Sequence, residues 1–163
     1  MDALYTPLSG IDMKRLIPDA RVMTYKQLRG CGQLPELPLV ILYETRPGVG
    51  HWVVILKTPE GIEHFDSYGM KPDGELSFVP IRNRALLGAD QPHLVKLLLD
   101  TMQPINFSDW RLQSKGRIAT CGRWCVLRAK YRELTSDAFG NLIKTASKKI
   151  GLKPDILVSS VVR

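Results

Sequence analysis

The sequence predicts an α+β domain, a central mixed or antiparallel sheet with helices packed around it, and three observations carry that prediction. The chain has 163 residues, 44% of them hydrophobic, enough for one core and one domain over residues 1–163. Its first half holds three short β-type runs joined by Gly- and Pro-containing turns. Its second half is dominated by helical spacing.

Taken in order, "SGIDMKRL" (9–16) reads as a short capped helix, with Ser9 or Gly10 before it and Pro18 after it. "LPLVILYE" (37–44) is a continuous apolar run, as a buried strand requires, and "TRPGVG" closes it. "HWVVILKT" (51–58) follows as a second strand, "PEG" as a tight turn, and "IEHFDSY" (62–68) as a third strand. Short connections make the three an antiparallel meander. "GMKPDGELS" (69–77) is a loop, and "PHLVKLLLDTM" (92–102) has helical leucine spacing with Pro92 at its first position. Residues 103–116 are mixed, with room for a short strand, before the strongest helix, "TCGRWCVLRAKYREL" (120–134), and another at 137–150.

Composition narrows the function classes. Mean hydropathy is −0.08 and the longest apolar runs are far too short to span a bilayer, so no membrane partner is expected. The opening "MDALYTPLSGID" lacks the charged and apolar regions of a secretory signal, so a non-secreted protein is expected. Residues 1–110 carry 11 basic and 13 acidic side chains, whereas residues 111–163 carry 12 basic and 3 acidic. The formal charge of +7 therefore comes from the last third, which either is a solvated basic face or meets nucleic acid. "IKTASKKIGLK" (143–153) has no interleaved aromatic residue, so a stacking platform for single strands is not indicated.

Three cysteines, an odd number, argue against a disulfide framework. Cys121 and Cys125 form a lone C-x₃-C without a second ligand pair of matching spacing, so neither a metal nor a cofactor is expected. The pair reads instead as one working thiol and one packed neighbour. Cys121 stands at a helix start, where free N–H groups and the dipole favour a thiolate, and its thiol is expected to be exposed. Gly122 beside it leaves room for a substrate backbone. Cys125, one turn deeper, shares a face with Val126 and Ala129 and reads as core.

A thiol nucleophile needs a base and a group that orients it. His51 opens the second strand and Asp66 ends the third, so a hairpin brings both to one end. His64, on the same strand face as Asp66, is a rival base, whereas His93 at a helix start reads as surface. The oxyanion donors would be the Cys121 N–H and the side-chain amide of Gln113, with Gln103 and Asn106 as alternatives.

The order "GHW … FDSYG … Q … TCGRWC" resembles the adenain-like cysteine proteases of the ubiquitin-like-protein-specific protease superfamily. Matching residues are His51 with Trp52, Phe65 with Asp66 and Gly69, Gln113, and Cys121 with Gly122, within a stretch of about residues 37–131. The version here looks most like proteases of large DNA viruses, virophages and related mobile elements. The resemblance implies an endopeptidase that cuts capsid or other virion precursor polypeptides near small residues such as glycine. It implies a His51–Asp66–Cys121 mechanism with Gln113 at the oxyanion, and Trp52 lining a narrow channel for the residues before the scissile bond. It also implies a place in the virion and in the host cytoplasm or virus factory. DNA activates the adenoviral enzymes, and the basic last third is compatible with such contact; no cysteine matches their peptide-docking one. The alternatives are an isopeptidase for ubiquitin-like conjugates and a DNA-binding protein that keeps only the fold.

Overall fold

A computed structural model describes residues 2–163. The chain runs α1 (Gly10–Leu16), β1 (Arg21–Thr24), α2 (Tyr25–Arg29), β2 (Leu39–Arg46), β3 (Val49–Thr58) and β4 (Gly61–Phe65). It continues through 3₁₀ turns at Gly74–Phe78 and Ile81–Asn83, then α3 (His93–Asp100), β5 (Ile105–Phe107), α4 (Cys121–Lys130), α5 (Ser136–Ile150) and α6 (Pro154–Val161). The fold is α+β. Its five strands form one mixed sheet in sequence order, antiparallel across β2–β3–β4 and parallel at both edges.

The expected meander is therefore present, and two parallel edge strands widen it. The sequence reading missed β1, α2 and α6. β1 and α2 are only 4 and 5 residues long, below the length at which periodicity speaks. α6 does carry a start signal, Pro154 in its first turn after Lys153. The third strand ends at Phe65, because "DSYG" forms a turn, and the long helix ends at Lys130 rather than Leu134. The loop after residue 69 contains the 3₁₀ turn at Gly74–Phe78.

Alternation along the central strands sorts side chains into two cores. Val40, Leu42, Trp52 and Val54 face the helices of one layer, sharing a core with Trp124 and Cys125 of α4 and Phe139 of α5. Leu39, Ile41, Tyr43, Val53 and Ile55 face the other way, toward α2 and α3. Pairing of Tyr43 with His51 puts His51 on this second face, at the end of β3.

α4 crosses the first face with 9 of its 10 residues buried, Arg123 and Arg128 included. A buried guanidinium must have its donors matched. Arg128 makes two bonds to the Glu63 carboxylate at 2.7 and 3.1 Å, donates to the carbonyls of Tyr131 and Leu134, and lies over the Phe139 ring. Arg123 donates to the carbonyls of Thr6 and Val162. Glu63→Ala strands the Arg128 charge and is expected to cost ~3–5 kcal/mol. Arg29→Ala, at the exposed Arg29–Asp90 pair, should cost about 1 kcal/mol or less. Urea denaturation of the two variants measures the contrast.

Candidate active site

β3 delivers His51 to the end of the sheet, and the turn after β4 delivers Asp66. Their carboxylate–imidazole contact, Oδ1 to Nε2, is 3.0 Å. "FDSYG" folds so that Asp66 Oδ1 also accepts the Tyr68 N–H at 2.7 Å, while Gly69 N–H returns to the Asp66 carbonyl at 2.9 Å. Gly69 has φ +74°, and a Cβ there would lie 2.7 Å from the Asp109 carbonyl oxygen, so the turn admits only glycine. Ser67, the next residue, holds Gln113: its carbonyl accepts the Gln113 N–H at 2.9 Å and its hydroxyl donates to Oε1 at 2.7 Å. One turn therefore places both the orienting carboxylate and the glutamine.

With Nε2 committed to Asp66, Nδ1 of His51 is left for the Cys121 thiol, which lines the same cleft and lies near enough for each group to shift the other's titration. Backbone N–H groups of Trp52, at 3.5 Å, and Gly122 also point to Sγ. Burial alone would push the Cys121 thiol up, but these donors and the His51 charge outweigh it and lower its pKa. Burial likewise opposes a charged His51, yet the bonds to Asp66 and Cys121 raise it to about 10. Burial opposes an ionised Asp66 too; its bond to His51 holds the carboxyl below the usual range. The three groups thus favour a thiolate–imidazolium pair backed by a carboxylate. Cys125 shows the contrast: fully buried with no such donors, its thiol is pushed well above the ordinary value by burial.

These groups open onto a cleft of about 350 Å³, lined by His51, Gln113, Cys121, Tyr68, Phe78 and Ala119, among others. Tyr68 stacks on the His51 ring at 4.8 Å and Phe78 meets it edge-on at 5.7 Å. The sequence reading assigned neither; "DSY" carried Tyr68 in plain view, but nothing local ties Phe78 to a histidine 27 residues earlier.

Gln113 sits in the cleft wall, its Nε2 donating to the Ile118 carbonyl at 2.9 Å, which leaves its second N–H free to point elsewhere. Gln103 and Asn106 lie outside the cleft, and the Asn106 amide is spent on the Glu60 carbonyl. His64 is fully buried 2.9 Å from Glu75 and is not within the cleft, so it is no rival base for Cys121. His93 is half-buried at the start of α3.

Three expectations need correction. The Cys121 thiol is not exposed; the residue is 5% accessible and forms part of the cleft floor. Gly122 makes room for core and not for substrate, since a Cβ would lie 3.1–3.2 Å from Trp52, Leu8 and Met13. Trp52 is 4% accessible, its indole N–H bound to the Leu8 carbonyl, so its side chain packs under α4 and only its backbone N–H reaches the thiol.

Asp155 on α6 was also missed, and it braces the site from behind. One oxygen accepts the Thr120 hydroxyl at 2.6 Å and the Trp124 indole, and the other accepts the Ser114 N–H at 2.8 Å. It thereby ties the residue before Cys121 to the residue after Gln113. Among the described residues, no group of three or more Cys, His, Asp or Glu side chains is arranged to hold a metal ion, and no helix is long and apolar enough to cross a membrane.

Over 124 residues the chain is 32% identical to "Uncharacterized protein V9" of Sputnik virophage, covering 75% of this chain and 71% of that protein. The chain belongs to the V9 family. That relationship sets it among virophage-type viral proteins. No protein-family model matches the chain, and no solved structure matches it significantly.

Because the Cys121 pKa is lowered and His51 stays protonated until about pH 10, Cys121 is expected to alkylate at pH 6. An ordinary thiol, with a pKa of about 8.5, is protonated there. Iodoacetamide labelling with peptide mass spectrometry should find Cys121 modified, Cys125 protected until unfolding, and the pH 6 reaction lost in His51→Ala.

Proposed function

We propose that this protein is a cysteine endopeptidase that processes virion precursor polypeptides. The observation that carries the reading is the continuous buried chain Cys121–His51–Asp66 at the floor of an open cleft. The virophage relative supports the viral setting, and the ordered motif "HW … FDSYG … Q … CG" supports the reaction class.

In this reading the Cys121 thiolate attacks the scissile carbonyl, forming a C–S bond and an oxyanion. As first residue of α4, Cys121 has a backbone N–H without an intrahelical partner. That N–H and the second Gln113 N–H stabilise the oxyanion. His51, holding the proton, passes it to the leaving amine as the C–N bond breaks. It then takes a proton from the water that attacks the thioester, and the thiolate is released with the new carboxyl terminus. Asp66 keeps the imidazole oriented and its cation stabilised throughout. The substrate is a capsid or other virion precursor cut near a small residue, and the protein works in the virion, host cytoplasm or virus factory. Nucleic acid is a partner through the basic last third, where Lys144, Lys148 and Lys149 are exposed on α5.

Co-expression with the major capsid protein of the same genome, followed by mass spectrometry of new termini, tests the proposal. Cys121→Ala should abolish cleavage and Cys125→Ala should leave most of it. Equal loss in both, or cleavage without Cys121, overturns it. Labelling of Cys121 by a ubiquitin-like vinyl sulfone, with no capsid cleavage, would point to the isopeptidase. Salt-sensitive DNA binding with no hydrolysis at all would point to a DNA-binding protein.

A further inference from the structure

Next to Asp66 lies a second set of buried ionisable groups that the reaction above does not use. Glu75 and His64 are both fully buried. Of the eight buried side-chain polar atoms without a hydrogen-bond partner among the described residues, five belong to His64, Asp66 and Glu75. His64 Nε2 lies 2.9 Å from Glu75 Oε1, short but off the axis of a good hydrogen bond. The Glu75 carboxyl lies near enough to that of Asp66 for each to shift the other's titration, and Asp66 Oδ2 and both Glu75 oxygens are buried without a partner. Two carboxylates can only accept, so this contact is repulsive unless one proton lies between them.

The surroundings decide where that proton sits. Asp66 faces the His51 imidazole and accepts the Tyr68 N–H, both of which favour its charge. Glu75 faces His64 from β4, Asp66, and Tyr43 from β2, whose hydroxyl donates to Asp73 at 2.9 Å. Burial raises Glu75 to about 7, with the Asp66 charge adding to the rise against the opposing pull of His64. Glu75 is also held firmly: Asp73, at φ 64°, starts its 3₁₀ turn and accepts both the Tyr43 hydroxyl and the Val95 N–H at 2.9 Å.

We propose that Glu75 is a positioning residue for the His51–Asp66 pair, its neutral carboxyl donating an O–H to Asp66 Oδ2 while His64 backs it from the other side. Asp66 Oδ2 is otherwise an orphaned buried acceptor. Supplying its donor locks the carboxylate plane that His51 reads and keeps the negative charge on Asp66. A fully buried glutamate in a short loop helix then has a purpose that packing alone does not give it. This inference rests on the thiolate–imidazolium reading of Cys121 and His51.

The test is the pH profile of Cys121 alkylation by iodoacetamide in the intact protein, read on the Cys121 peptide and needing no substrate. Glu75→Gln keeps a donor for Asp66 and an acceptor for His64, whereas Glu75→Met keeps the volume and loses the donor. At pH 6 the Gln variant should react within about twofold of wild type, and the Met variant about tenfold or more slowly, with its profile displaced to higher pH. Near-UV circular dichroism confirms that both variants are folded. If the Gln and Met variants slow equally, or neither slows, the proposal is overturned and the protease reading stands. A wild-type Cys121 that is inert at pH 6 overturns the protease reading, and this proposal with it.

Discussion

Two buried arginines on one helix are the constraint from which the rest of the molecule follows. α4 carries three cationic side chains, yet it lies inside the protein with nine of its ten residues covered, Arg123 and Arg128 among them. That position is tenable only because Arg128 finds Glu63 and two carbonyls, and Arg123 finds the Thr6 and Val162 carbonyls. These bonds are directional. They fix the rotation of α4 about its axis and its sliding along the sheet, tying it to β4 on one side and to the segments around residues 6 and 162 on the other. With the axis fixed, the first residue of the helix has one place to be, and Asp155 secures it through Thr120.

Charge organisation at the site follows a similar logic of compensation. A thiolate, an imidazolium and a carboxylate are each costly below the surface. Arranged in sequence they offset one another, and backbone donors from Trp52, Gly122 and Tyr68 cover what remains. Cys125, one turn away in the same helix, is also buried but has none of this company, and burial pushes its thiol well above the ordinary value. Location relative to donors, rather than burial, separates the two cysteines.

The sequence reading reached the sheet centre and the grouping of Cys121, His51 and Asp66 because their signals are local. The strand runs of β2 and β3 are dense in apolar residues, and hairpin connections fix that His51 and Asp66 share an end. What it missed depends on distance in the chain. Glu63 and Arg128 are 65 residues apart, and Asp155 lies 35 residues from Thr120. No periodicity links such pairs. Glu75 in "KPDGEL" looks like any loop glutamate until the turn is seen folded inward. Trp52 and Gly122 were misread for a different reason: a motif marks which positions are constrained but not on which side of the backbone the constraint lies. Here both contacts face the core.

The site also straddles the sheet. Cys121 belongs to the layer packed by α4, whereas His51 shares a face with Tyr43 and the layer under α2 and α3. Thiol and imidazole meet only where the sheet ends. Their separation is thus a gauge of how the two layers are seated on one another. Their pairing therefore depends on how both layers seat against the sheet, and not on strand pairing alone.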